Sequence, residues 1–210
     1  MVEGILLSRN IECSGHSDDI AAIDPSVAGE SVCIDFTTPE AFRKNYRFLA
    51  EHFKAVVVGT TGWYDIKDEV FKTFDEAGTT LIWASNFSIG VNVLSAAVER
   101  VAALLGENST YTPYLVEKHH CHKLDAPSGT AKTLALDVEK GMKVKPEILS
   151  VRAGEIPGIH TVTFEGLYDR ITIEHEAFSR QGFAEGAVEA AMMTETRKGI
   201  FEFRDLLFSR

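Results

Sequence analysis

Between Glu117 and Ala131 the chain places His119, His120, His122, Lys118 and Lys123 just before Ala126-Pro127-Ser128-Gly129-Thr130. Histidine and lysine are credible proton donors once their surroundings tune them. The residue before a proline is pushed out of helical dihedrals, so Ala126 is expected to be extended. A helix with Leu134 and Val138 on one face is predicted over 130–140, with Ser128 or Thr130 as its cap. A helix N-terminus with a glycine for close approach is a ready anion site. With Lys123 and a protonatable histidine beside it, that chemistry suits a small carboxylate-bearing substrate. A histidine run of this density could also hold a metal ion. No acidic or cysteine partner sits at the tight spacing of a familiar zinc motif, so no metal is expected, although Cys121 keeps the idea alive. A solvated polar loop is the plainest alternative. Ser128 or Cys121 as a nucleophile is weaker, because no Gly-x-Ser-x-Gly elbow is present.

The elements that must position this run are legible as periodicities. Val32–Phe36 is a short apolar run, and Pro39 suits the first turn of a helix carrying Phe42, Tyr46, Leu49 and Phe53. Ala55–Val58 reads as a strand, followed by Gly59-Thr60-Thr61-Gly62 and a helix with Ile66, Val70, Phe74 and Ala77. Thr79–Ala84 is a further strand, ending in Ser85-Asn86-Phe87. Strands alternating with helices through short connections predict βαβ units and a parallel sheet. In such sheets ligands bind at the carboxyl ends of the strands. Three strand ends here carry small polar residues, which favours a nucleotide or similar ligand over ordinary turn chemistry. Before this region, Met1–Arg9 reads as the end of a helix, Ile11–Ser14 as a short strand and Ser14–Gly29 as a polar loop.

After a boundary near Phe87–Val91 the pattern changes. A helix over Ile89–Leu105 precedes a strand from Tyr111 to Lys118 that delivers the histidines. Strands are predicted over 148–152, 159–164 and 170–177, with a hairpin turn at 166–169, then a helix from about Phe183 to Thr196 and an apolar tail over 200–208 that docks. Ile171 and Ile173 alternate with Thr172 and Glu174, which suits a sheet with one wetter face. The second half is therefore α+β with a mixed or antiparallel sheet.

Composition excludes several classes. The chain has 210 residues, 45% hydrophobic and 25% charged, enough for one large or two small globular domains. A net charge of -10 argues against nucleic acid, which needs a basic face. Three scattered cysteines make no disulfide framework and fit a reducing cytoplasm. No apolar run approaches the ~18 residues of a membrane span, and no secretory signal is seen.

The run Glu117-x-His119-His120-x-x-Lys123-x-Asp125-Ala126-Pro127-Ser128-Gly129-Thr130-Ala131 resembles the signature of the 4-hydroxy-tetrahydrodipicolinate reductase (dihydrodipicolinate reductase) family. Asp35-Phe36-Thr37-x-Pro39-Glu40, Gly59–Gly62, Asn86–Asn92, Arg152-Ala153-Gly154 with Gly158-x-His160, and Ser179-Arg180 with Phe183-Ala184-x-Gly186-Ala187 resemble the same family in the same order. The resemblance implies NADH- or NADPH-dependent hydride transfer to a cyclic unsaturated dicarboxylate in lysine and diaminopimelate synthesis. It implies a Rossmann-like dinucleotide-binding domain at 1–87 and about 190–210, and a substrate-binding domain at 88–189 whose open-faced sheet builds a homotetramer. It implies His119 as the acid–base residue and Lys123 as a second proton donor. His120, Ser128, Gly129 and Thr130 would hold the substrate, and Gly59, Thr60, Thr61, Ala84, Ser85, Asn86 and Phe87 would contact the cofactor. Neither nucleic acid nor membrane is an expected partner.

The family opens with a strand and a Gly-x-x-Gly-x-Met-Gly phosphate loop, which Met1–Asn10 does not match. About a dozen preceding residues are expected for such a strand and turn. A chain without them would lack the central strand and the helix N-terminus under the pyrophosphate. The competing expectation is therefore a catalytically impaired nucleotide-fold or metal-binding relic that keeps the oligomer. No arginine stands near Ser17–Asp19, which disfavours a 2′-phosphate.

Overall fold

The structure, a computed structural model, describes residues 1–107 and 110–209. Two compact units divide it, Met1–Phe87 with Phe183–Arg210, and Ser88–Gly182.

The first unit is built on a parallel four-stranded sheet in the order β1 (Val32–Asp35), β2 (Ala55–Val58), β3 (Thr80–Trp83), β8 (Ile200–Glu202). Every residue of β2 and β3 is buried, as expected of strands covered on both faces. Helix α3 (Pro39–His52) has Thr38 as its cap and Pro39 in its first turn; it packs Phe42, Tyr46 and Leu49 with Val70 and Phe74 of α4 (Lys67–Ala77). Each such apolar side chain contributes about 1.5–3 kcal/mol on burial. On the opposite face, Val57 and Ile82 meet Ala187 and Ala190 of α7 (Gln181–Met193) and Phe203 and Leu206 of α8 (Phe203–Phe208). The docking tail thus supplies both a strand and a helix.

Two expectations fail here. Ile11–Ser14 forms no strand: β1 is the sheet edge and pairs only with β2, so this segment has no ladder beside it, and it follows α1 (Val2–Ser8) as irregular chain. Ser14–Gly29 is not all loop. A 3-10 turn over Ile20–Ala22 is followed by α2 (Pro25–Glu30), whose cap Asp24 accepts from the Ser26 N–H at 2.9 Å. An Asp-Pro pair at N-cap and N1 outweighs the polar composition.

In the second unit α5 (Ile89–Leu105) and α6 (Gly129–Met142) cover one face of a mixed sheet ordered β5 (Glu147–Arg152), β4 (Thr112–His119), β6 (Ile159–Glu165), β7 (Arg170–Glu176). β4 runs parallel to β5 and antiparallel to β6, and β6 is antiparallel to β7. Leu115, Val162 and Phe164 point into the core with Leu94, Val98, Leu134 and Val138. Strand side chains alternate, so Val116 and its register partner Leu149 lie on the other face, where Leu149 and Val151 are exposed. No described helix is long and apolar enough to cross a membrane.

Candidate active site

The inward parity of β4 runs through Leu115 to Glu117 and His119, at the strand's last turn of the pleat. Register then brings the neighbours in. Glu117 lies opposite His160 of β6, His160 opposite His175 of β7, and His119 beside Arg152 of β5. The inner end of one sheet therefore carries a carboxylate, a guanidinium and three imidazoles. Glu117 is 0% exposed, His160 6% and His119 7%.

Buried charge of this kind must be paired. Glu117 Oε1 accepts from Arg152 Nη2 at 2.7 Å, and Glu117 Oε2 closely approaches His119 Nδ1. Arg152 Nη2 also donates to the Asp125 carbonyl at 2.7 Å, tying the loop after His119 to the sheet. Burial raises the Glu117 carboxyl, but Arg152, Ser150 and His119 outweigh it, and Glu117 is held below the usual carboxylate range. His119 is lowered, first by burial and further by the charges of Lys123 and Arg152, against the opposing pull of Glu117. Glu117 Oε2 lies against Nδ1, and Nε2 faces away from it toward Gly158. A Cβ at Gly158 would lie 3.2 Å from that Nε2, so glycine there keeps the space in front of it open.

His160 stacks edge-on against His119 with centroids 5.1 Å apart, and burial with the nearby His119, His175 and Lys123 charges pushes it down to about 4. Its Nε2 lies 3.1 Å from Ser128 Oγ, while the same hydroxyl oxygen accepts from the Ala131 N–H at 3.2 Å. Ser128 is thus the cap of α6, and Gly129 and Thr130 form its first turn, where backbone N–H groups lack intrahelical acceptors. Lys123 Nζ reaches Asp125 Oδ1 at 2.7 Å, and that contact holds the Asp125 carboxyl low. His120, the first residue after β4, is half-buried where His119 is buried.

Of the residues singled out in the sequence, the second unit gathers His119, Lys123, Ser128, Gly129 and Thr130 around one strand end. Glu117, Arg152 and His160 were quoted only as family motif residues, yet they form the buried part of the cluster. The Glu-x-His spacing of β4 was the available signal, since it puts both side chains on one face.

The first unit places the remaining residues at the carboxyl ends of its strands. Gly59 N donates to the Asp35 carbonyl at 2.8 Å, and a Cβ on Gly59 would lie 2.1 Å from the Phe36 ring, so any other residue would have to displace that half-exposed aromatic. Thr60 is buried and its hydroxyl donates to Asp35, while its carbonyl accepts from Trp63 Nε1 at 2.8 Å; Thr61 is exposed. Ala84 and Phe87 are buried and Ser85 exposed, with Phe87 edge-on to Phe36 at 6.0 Å. A flat aromatic, a side-chain-free backbone and small turn residues suit a flat nucleotide ligand.

The family described as dihydrodipicolinate reductase matches by its N-terminal part over residues 8–87 and by its C-terminal part over residues 90–207. A 4-hydroxy-tetrahydrodipicolinate reductase of Christiangramia forsetii is 40% identical over 202 residues, covering 90% of this chain and 84% of the relative. The enzyme of the same name from Methanopyrus kandleri is 40% identical, covering 88% and 74%. Among solved structures, dipicolinate-bound dihydrodipicolinate reductase from Paenisporosarcina sp. TG-14 superposes with a TM-score of 0.76 at 21% identity, over 97% of this chain and 85% of that one.

Proposed function

The chain belongs to the dihydrodipicolinate reductase family, and from that premise we propose how its residues divide the work of reducing 4-hydroxy-tetrahydrodipicolinate in lysine and diaminopimelate synthesis. The reading of an impaired relic is not favoured. NADH or NADPH, when bound, supplies the hydride. Its holding residues are Phe36, Gly59, Thr61 and the Ala84–Phe87 turn; Thr60 helps through its backbone, since its hydroxyl is committed to Asp35. The first unit is thus the dinucleotide-binding domain and the second the substrate domain.

The observation that carries the substrate assignment is the buried Glu117–His119–His160 cluster beside the capped start of α6. Substrate carboxylates meet the first-turn N–H groups of Gly129 and Thr130, the Ser128 hydroxyl and the Lys123 ammonium, with His120 as a further binding residue. A dianion arriving here favours protonated imidazole. His119, neutral in the free protein, takes a proton on Nε2 as substrate binds, then donates it to the ring that reduction leaves electron-rich. Glu117 is a positioning residue: it fixes the tautomer and steadies the imidazolium. Lys123 is the second proton donor.

The exposed Leu149 and Val151 on the outer face of the mixed sheet support a homotetramer built through that face. Three unpaired cysteines fit the cytoplasm. Calorimetry with pyridine-2,6-dicarboxylate, a planar substrate mimic, tests the site. Binding that competes with substrate and weakens in Ser128→Ala and Lys123→Ala is expected; no binding, with or without reduced cofactor, contradicts the assignment.

A further inference from the structure

Outside the residues just assigned, a second group of ligand-bearing side chains meets at the surface of the substrate domain. Cys121 Sγ lies 3.5 Å from His122 Nε2, and His122 Nε2 lies 3.3 Å from Glu155 Oε1, with all three atoms within 4.8 Å of one another. Two chain segments carry them, and the backbone clamps those segments together. The Ala153 N–H donates to the His119 carbonyl at 2.9 Å and the Cys121 N–H to the Gly154 carbonyl at 3.1 Å, continuing the β4–β5 pairing past its last register pair. Gly154, at φ 53, turns the chain so that Glu155 comes back over the Cys-His pair.

The two separations made by His122 match edges of one tetrahedral ion. With bonds of about 2.3 Å to sulfur, 2.0–2.1 Å to nitrogen and 2.0–2.2 Å to oxygen, the edges of a zinc tetrahedron are about 3.5 Å for S–N and about 3.4 Å for N–O. We infer that Cys121, His122 and Glu155 form a surface site for a thiophilic divalent ion, Zn²⁺ first, with the fourth position left to water. A thiol and an imidazole select zinc-like ions over Mg²⁺ or Ca²⁺, which take oxygen ligands. The ion needs no redox partner. The metal–sulfur bond forms as the Cys121 thiol gives its proton to solvent, while His122 coordinates through neutral Nε2 and Glu155 through its carboxylate. None of the three has a part in the proposed reduction, so the site is separable from catalysis.

The whole protein, freed of metal and kept in a non-thiol reductant, is titrated with Zn²⁺ by calorimetry and with Co²⁺ by absorption. One ion per chain is expected, with a sulfur-to-cobalt charge-transfer band and a binding heat that changes with the buffer's ionisation enthalpy, as release of the thiol proton requires. Removing outer-shell support alone costs metal sites 10–100-fold, so deleting a ligand in Cys121→Ser or Glu155→Gln is expected to weaken binding by at least about ten-fold. Both variants should keep the reductase rate of the metal-free protein, which shows that they fold. His160→Gln should leave Zn²⁺ affinity unchanged, which separates this site from the buried Glu117–His119–His160 group. Cobalt bound without the thiolate band, undiminished affinity in Cys121→Ser, or loss of binding only in His160→Gln would each overturn the inference.

Discussion

At the ends of β1, β2 and β3 the first unit places Phe36, Gly59 and Ser85, whereas at the end of β4 the second unit places Glu117 and His119 with Arg152 and His160 around them. Strands β2 and β3 of the parallel sheet are buried along their whole length, so they carry mostly apolar side chains, and the polar groups at their ends belong to backbone and small turn residues. The mixed sheet is covered on one face by α5 and α6, and the inward parity of its strands runs out past the core into a charged cluster. Ionisation separates them too. Burial, with Asp35 adding to it, pushes the Cys33 thiol up to about 12, and burial with Glu202 does the same to Tyr64, so both stay protonated and chemically silent at neutral pH. In the second unit burial lowers His119, His160 and His175, and the pull of neighbouring charges leaves His119 poised to respond to a bound anion. On the proposed reading, one unit holds a ligand and the other moves protons.

The strongest test of that contrast removes a proton donor from the second unit only. Lys123→Ala should lower turnover by about 10² or more while thermal unfolding and cofactor binding stay unchanged. A near wild-type rate would take Lys123 out of the mechanism. Glu117→Gln should act through His119: kcat falls by about ten-fold or more, because the tautomer and the imidazolium lose their partner. Glu117 raises the His119 pKa, so in Glu117→Gln the decline of kcat/KM with rising pH shifts to lower pH. A merely structural carboxylate would lower activity without moving that profile.

Smaller, but opposite in sign for the two units, is the pH dependence of stability. His160 titrates near 4 in the folded protein against 6.5 for the free side chain, so the unfolded chain binds the extra proton first. Its contribution is complete above about pH 6.5 and is lost as pH falls toward 4, on the order of 3 kcal/mol. Cys33 and Tyr64 are raised, so their contribution is complete at neutral pH and is lost as pH climbs toward 12. Both tryptophans, Trp63 and Trp83, lie in the first unit, so their fluorescence follows it alone, while amide exchange in β6 follows the second. Acid should weaken β6 protection before tryptophan emission changes, and alkali should do the reverse. Parallel loss at both extremes would erase the distinction.

Most elements were legible because apolar spacing reports burial: Ile89–Leu105 and Ala55–Val58 coincide with their predicted bounds. Ile11–Ser14 was misread because a strand depends on a neighbour that local sequence does not reveal, and α2 was missed although Asp24-Pro25 announced it. In the site, the histidines and the Ser-Gly-Thr helix start stood in one run. Arg152 and His160 reach that run only through strand register, a non-local quantity that spacing cannot convey. Glu117 could have been paired with His119 from their i, i+2 relation alone.

On the proposed mechanism, inward-facing His119 donates the proton while His120 only binds. Steady-state kinetics of His119→Gln and His120→Gln across pH decide it. His119→Gln is expected to lose ~10²–10⁴ in kcat with KM little changed, and His120→Gln chiefly to raise KM. A large kcat loss in His120→Gln with a near-normal kcat in His119→Gln would contradict it.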